Sequence, residues 1–426
     1  MITRVSTQKA ASSRLENPWV QLVTGVIGMM MISSTQYAWT LFVPSLTQTF
    51  KWSLAAVQFA FTLYICTSYV SPLSGYLLDK FGTRLPFTIA ALCVGFGWGL
   101  MGHAQSITAL YCYYTIAGIG SIFVYTGAIA AANKWFPERK GLASGVMAAG
   151  FGSGAAPFIP LIAYLLSSYG HSKAFLYTGG GFGLVLLVVA QILRFPTAVQ
   201  PEPAARATAT APDSAGAAGF TPVEMFKTPQ FYLIYLLFVG MGSGLILVTA
   251  HIKPFSVEYG IASNILVLAI TLSSIANGLG RVVWGAISDK LGRERTMIID
   301  FFISATAVAL LPILGRNPVI FIVLNIIAMF TFGPIYAFFP PITAERFGTK
   351  YLATNYGIVY SAKGVGGIVG GWISSLIILS LGWSFTFYGA AALGVLSAVG
   401  ALTLMKIPKP VLRPAAVLVH SARSQS

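Results

Sequence analysis

Arg281 and Lys363 are the residues of this sequence best placed to do chemistry. Each stands well inside a run of apolar residues, where no other Lys, Arg, Asp or Glu lies at comparable depth. In a helix rising about 1.5 Å per residue, Arg281 lies eight residues before Asp289, so about 12 Å from the end of its run; Lys363 is about ten residues, or about 15 Å, into its own. Asp300 is the nearest acid in this respect, about one turn into its run, and His103 and His251 lie near run ends. If the runs cross a membrane, each buried charge costs several kcal/mol and marks function by default. With no deep acid to pair them, two cations at one depth call for an anion from outside the chain. A guanidinium grips one carboxylate with a bidentate fork, and an ammonium takes a second as a point charge, so a small dicarboxylate fits. Two blander readings stand beside this: Arg281 bonding main-chain carbonyls, and Lys363 reaching its head back toward water, a long stretch from that depth.

Neutral walls can be proposed. Gln36, Tyr37 and Trp39 lie about two-thirds of the way across one run; Tyr125 lies in another, and Phe332 and Tyr336 in a third, these three about 12–18 Å from the side on which Arg281 and Lys363 are counted. Rings and Tyr hydroxyls around a small planar anion would exclude water and strengthen both charge contacts. The alternative for any one of these rings is plain packing or contact with lipid.

The elements that must position these residues follow from composition. Of 426 residues, 56% are apolar and 9% charged, against about 25% charged in soluble domains. So few charges cannot cover a soluble domain of this size, which excludes a soluble enzyme, a disordered chain and a disulfide scaffold. Twelve stretches reach the roughly 20 apolar residues that a spanning helix needs: about 20–46, 54–78, 85–104, 107–133, 141–167, 173–194, 230–252, 262–287, 296–315, 318–343, 353–378 and 383–405. The expectation is an all-α membrane protein of twelve transmembrane helices in two six-helix pseudo-symmetric bundles, at 1–194 and 230–405. An Ala/Pro/Thr-rich cytoplasmic linker at 195–229 joins them, and a cytoplasmic tail runs over 406–426.

The net charge of +15 reads as topology rather than nucleic-acid binding. With the N-terminus inside, the termini and even-numbered connections hold 20 Lys and Arg, and the opposite loops hold four: Lys51, Lys173, Lys253 and Arg316. That bias puts both termini in the cytoplasm. The first 18 residues lack the apolar core and cleavage site of a signal peptide. Cys66, Cys93 and Cys112 lie inside apolar runs without metal-ligand spacing, so no metal and no cofactor are expected.

The two halves repeat. Gly75-Tyr-Leu-Leu-Asp79-Lys80-Phe-Gly82-Thr-Arg84 follows the second run, and Gly285-Ala-Ile-Ser-Asp289-Lys290-Leu-Gly292-Arg293 follows the eighth, 210 residues later. This repeat sets Ser71 opposite Arg281 and Phe151 close to opposite Lys363, so the charge arrangement is one-sided. The signature reads as gate or structure: glycines for close helix approach, and an Asp at a helix end for latching by cations of a neighbour. In both copies it resembles the major facilitator superfamily, which implies that fold across all twelve runs.

Gln36-Tyr-Ala-Trp-Thr-Leu, Ser53-Leu-Ala-Ala-Val-Gln58, Asn133-Lys-Trp-Phe-Pro, Asn277-Gly-Leu-Gly-Arg281 and Asn355-Tyr-Gly together with Ala362-Lys363 narrow the resemblance to the bacterial oxalate:formate antiporter family. The resemblance implies that Arg281 and Lys363 bind the two carboxylates, that Tyr37, Tyr125 and Tyr336 cage the anion, and that Gln36 and Gln58 take polar gate or cage positions. Asn277 joins this substrate-binding set. Phe332 stands where the family has Trp, and Phe151 where it has Tyr; each keeps an aromatic face and loses a donor, which opens the pocket to small carboxylates other than oxalate.

Exchange of anions in a bacterial inner membrane, by a monomer in the lipid bilayer, is therefore the expectation. The rival is a proton-coupled monocarboxylate symporter, a more distant resemblance. Related symporters carry an Asp one turn before the arginine, where this sequence has Asn277. A receptor on a transporter scaffold would call for an added domain or longer tail. An enzyme would call for paired carboxylates, a metal cluster or a Ser-His-Asp set at depth. Gly150-Phe-Gly-Ser-Gly and Gly364-Val-Gly-Gly lie inside apolar runs and read as packing glycines rather than nucleotide loops.

Overall fold

The computed structural model describes residues 17–136, 140–196, 219–348 and 351–410, without the side chains of Asp79, Lys140, Gly141, Leu142, Leu352 and Ala353. The expected N-terminal segment, most of the linker and most of the tail lie outside the described residues.

Helix starts follow local capping chemistry. The side chains of Asn17, Ser53, Ser106, Thr228 and Asn317 each accept a hydrogen bond from a backbone N–H of the first turn, and proline follows Asn17, Thr228 and Asn317 at the first helical position, where its missing donor is no loss. The first half comprises α1 (Pro18–Tyr37), α2 (Trp39–Phe50), α3 (Leu54–Cys66), α4 (Ser71–Phe81), α5 (Arg84–Leu100), α6 (Ile107–Trp135), α7 (Lys140–Ser153) and α8 (Phe158–Ile192). After α9 (Pro222–Phe226), the second half comprises α10 (Pro229–Glu258), α11 (Ser263–Leu291), α12 (Arg293–Leu314), α13 (Pro318–Phe332), α14 (Ile335–Phe347), α15 (Leu352–Tyr360), α16 (Ala362–Gly367), a π-helical segment Ile368–Ile373, and α17 (Ser374–Lys406).

Among the described residues, ten segments are long and apolar enough to cross a membrane. Two of them, Ala143–Ile192 and Thr354–Lys406, are 50 and 53 residues long, about twice what a bilayer needs. Each contains one residue with non-helical backbone, Gly170 (φ 75°) and Gly382 (φ 84°). Divided there, the ten segments become twelve spans. Large apolar side chains such as Phe96, Leu184, Leu236, Val319 and Leu396 are more than half exposed on the outer surface, as lipid-facing positions of a multi-pass membrane protein are.

The repeat has a backbone basis. Gly82 (φ 71°) and Gly292 (φ 94°) end α4 and α11 in a conformation that L side chains resist, and each turn reverses the chain into the next span. Inside each half the packing is extensive: α5 lies on α6 and α8, α1 and α3 on α6, α12 on α17, and α11 on α13. The halves meet along α7 and α11, along α2 and α10, and where α3 crosses α16 and the π-helical segment.

The linker is not free over its whole expected length. Thr221 and Glu224 form a capping box that starts α9. The backbone and hydroxyl hydrogens of Thr221 hold the Glu224 carboxyl below the usual carboxylate range. Phe220 donates its N–H to the Phe347 carbonyl at 2.8 Å, and the Asn355 amide donates to the Phe220 carbonyl at 2.8 Å. Residues 219–229 are therefore pinned to the second half, a correction to the linker's expected end.

Candidate functional site

Arg281 and Lys363 are 3% and 6% exposed and face the interior between the halves, not lipid. Arg281 Nη1 donates to the Ala148 carbonyl of α7 at 2.9 Å, and Nη2 donates to Asn277 Oδ1, one turn earlier in α11, at 3.1 Å. The guanidinium thus bonds a carbonyl, as the blander reading allows, but one from the opposite half. Its Nε has no described partner. The Asn277 amide donates to the Met329 carbonyl at 3.1 Å, which fixes its orientation, and Asn277 Oδ1 lies 3.4 Å from the Tyr37 hydroxyl. Lys363 Nζ donates to Gln36 Oε1 at 3.2 Å, again across the halves. No ion pair joins either cation to an acid among the described residues.

The two charges share their rings. Tyr336 lies 4.6 Å from the guanidinium carbon and 5.9 Å from Lys363 Nζ; the Phe151 ring is 5.7 Å from both. Tyr37 and Tyr125 pack on Phe151 at 5.8 and 5.3 Å. Tyr360 closes the circle, 5.9 Å from Lys363 Nζ, 6.1 Å from Tyr125 and 6.0 Å from Tyr336. Cation–ring contacts of this kind stabilise charge without neutralising it. The Tyr336 hydroxyl is buried with no described partner, so it remains available to a ligand.

The structure brings together Arg281, Lys363, Gln36, Tyr37, Tyr125, Phe151, Tyr336 and Asn277. It places two others elsewhere. Gln58 accepts from Trp39 Nε1 at 3.1 Å and donates to the Ala250 carbonyl at 2.7 Å, with its amide nitrogen 3.4 Å from His251 Nδ1. It belongs to a clasp between the halves toward the end of the bundle away from the linker. Thr62 donating to the Gly367 carbonyl and the Lys253 N–H donating to Thr40 Oγ1, both at 3.0 Å, complete that clasp. The fully buried His251 braces it, with Nε2 2.8 Å from Ser374 Oγ and 3.2 Å from the Gly371 carbonyl. Phe332 is 2% exposed and fills the notch left by Gly244, with no described contact to either cation. Tyr360 is the residue that sequence reasoning missed; its position three before Lys363 puts both on one helix face.

At the linker end, Asp289 pairs with Arg293 of the following helix, and Arg293 also reaches Ser288 and, at 3.3 Å, Glu345. Arg84 Nε donates to Gln191 Oε1 at 2.8 Å, and Lys80 Nζ lies 5.3 Å from the Phe81 ring centroid. The Asp79 side chain lies outside the described residues, and Lys290 is exposed. The expected close helix approach at the signature glycines is not found. A methyl added at Gly75 would meet nothing within 4 Å, and one at Gly285 only Ala337 at 3.7 Å. The close approach lies at the site instead: a methyl on Gly152 of α7 would come within 2.8 Å of Gly278 Cα of α11, and one on Gly278 within 2.9 Å of the Ala149 carbonyl. Gly278→Val is therefore expected to destabilise the protein by about 1–3 kcal/mol through overpacking of this crossing. The Tm of the detergent-solubilised variant, lower than that of the unchanged protein, checks it.

The Major Facilitator Superfamily model matches residues 24–266 and 233–419. The chain is 40% identical over 375 residues, 88% of either chain, to the oxalate:formate antiporter of Oxalobacter formigenes. It is 28% identical to an uncharacterized MFS-type transporter of Escherichia coli (strain K12), over 82% of this chain and 86% of that one. Monocarboxylate transporter 12-B of Danio rerio is 24% identical over 73% of this chain and 72% of its own.

Proposed function

The chain belongs to the major facilitator superfamily, and we propose that it is a transporter that exchanges small carboxylate anions, oxalate and formate among them, across a bacterial inner membrane. One observation carries this reading. Two buried cations share the Tyr336 and Phe151 rings and have only neutral described hydrogen-bond partners. An anion supplies the missing negative charge. Arg281 takes one carboxylate through its fork, Lys363 takes the other end, and the rings exclude water. A single chain supplies every one of these groups, so a monomer suffices.

The two halves, the second carrying 219–229 with it, rock about this site, as two parallel repeats do around a midplane site. Eight described hydrogen bonds join the halves at the level of the two cations and beyond it, toward the end away from the linker. With both termini cytoplasmic, that end faces outside, and this conformation is sealed there. Reorienting without cargo leaves two like charges buried and unpaired, which is costly, so a loaded carrier turns over faster than an empty one. Obligate exchange follows. Asn277 in place of an acid beside Arg281 argues against coupling to protons at that position.

Counterflow in proteoliposomes tests the reading. Vesicles loaded with unlabelled formate or oxalate should take up labelled oxalate, and empty vesicles should not. Robust uptake into empty vesicles driven by a pH gradient would favour proton symport and overturn exchange. Because Phe151 touches both cations while Phe332 does not, selectivity should move with the former. Phe151→Tyr is expected to raise relative oxalate affinity a few-fold by adding a hydroxyl at the cage, about the worth of one net hydrogen bond. Competition of unlabelled carboxylates for labelled uptake measures this, and an unchanged ranking would remove Phe151 as a selectivity determinant.

A further inference from the structure

We propose that a side cavity beside Lys363 is a specificity pocket for a hydroxyl group, so that the chain also carries 2-hydroxy monocarboxylates. The cavity opens from the aromatic circle, whose Phe151, Tyr360 and Lys363 line one side of it, toward a first-half wall that carries Gln36, Ser68 and Ser121 among isoleucines. Its volume of about 20 Å³ accommodates about one water-sized group. The walls are buried: Gln36 is 1% exposed, Ser68 3% and Ser121 6%.

Two of these side chains have unmet hydrogen-bonding capacity. Gln36 Oε1 accepts from Lys363, but its Nε2 has no described partner; Ser68 Oγ has none either. Ser121 Oγ donates to the Ala117 carbonyl at 2.8 Å and also meets the Tyr64 hydroxyl, which leaves it one lone pair. Tyr64 is already engaged with Thr35 Oγ1 at 2.8 Å. The open set is thus one obligate donor, the Gln36 amide, beside hydroxyls that can accept.

A hydroxyl matches that set better than its rivals. Its oxygen accepts from Gln36 Nε2, and its hydrogen goes to Ser68 or Ser121. A carbonyl oxygen can only accept. A methyl group leaves both buried polar groups unpaired, which is the stronger basis for rejection. The hydroxyl sits on the carbon next to a carboxylate held by Lys363, because Lys363 itself lines the cavity. The inference rests on the carboxylate-exchange reading above and adds a substrate class to it.

The test is competition against labelled oxalate counterflow by glycolate and by acetate, which differ by the one hydroxyl, using the full chain in proteoliposomes. The wild type should be inhibited by glycolate at concentrations at least about tenfold lower than acetate. Ser68→Ala should bring that ratio toward one, and Ser121→Ala should lower it if the first variant fails to reach the membrane. Equal inhibition by the two acids in the wild type, or a ratio that both variants leave unchanged, would mean that the cavity holds an ordered water only and would overturn the proposal. Absence of any oxalate counterflow in the wild type would instead overturn the carboxylate reading and this inference with it.

Discussion

Proteoliposomes carrying Arg281→Gln are expected to lose carboxylate counterflow by at least about 30-fold, while the protein still reaches the membrane. The estimate follows from the roughly 2 kcal/mol or more lost when one partner of a buried, hydrogen-bonded charge contact is truncated. Gln keeps a donor but neither the charge nor the fork, and it cannot lie over Tyr336 as the guanidinium does at 4.6 Å. Arg281→Lys separates these contributions. It restores charge without bidentate geometry, so partial recovery would assign the remainder to the fork. The measurement is initial counterflow rate normalised to protein in the vesicle. Full exchange in Arg281→Gln would remove this residue from the binding site.

Lys363→Gln should have an effect of similar size on oxalate and a smaller one on formate. An anion with one carboxylate can rest on Arg281 alone, whereas a dicarboxylate needs a second cation at its far end. The variant also loses the only described hydrogen bond of Lys363, to Gln36 across the halves. The ratio of oxalate to formate affinity, from competition curves, should fall about tenfold or more. A uniform loss for both substrates would indicate a conformational role for Lys363 instead of contact with one end of the cargo.

Depth was legible in the sequence because it depends only on residue counting along a helix. That is why Arg281, Lys363, Tyr125 and Tyr336 come together as expected, whereas Tyr37, about two-thirds of the way across its own run, was placed in the cage by the resemblance rather than by its depth. Rotation about the helix axis was less legible. Phe332 and Tyr336 are four apart and at similar depth, yet α13 stops at Phe332 and α14 starts at Ile335. The Gly333-Pro334 break turns Phe332 away onto Gly244, while Tyr336 stays under Arg281. Gln58 misled for a related reason: a buried polar side chain signals a partner without saying which, and here the partners are Trp39 and the Ala250 carbonyl. Tyr360 was within reach of the i, i+3 rule. The family of the chain was legible from the repeated signature, but the work of its glycines was not. Gly82 and Gly292 show their purpose only in a positive φ.

The π-helical segment Ile368–Ile373 lies between Lys363 and the outer part of the same span. Before it, Lys363 addresses Gln36 of the other half; within it, Gly371 lies against Thr62 of the other half and Gly370 against Ser243 of its own. A wider turn holds one residue more than the α ladder would, and one residue is about 100° of rotation. The segment therefore acts as a phase shifter within a single span. Shortening it by one residue would swing the ammonium out of the aromatic circle while leaving the outer seam aligned, so the two ends of this helix can be retuned by evolution without one dragging the other.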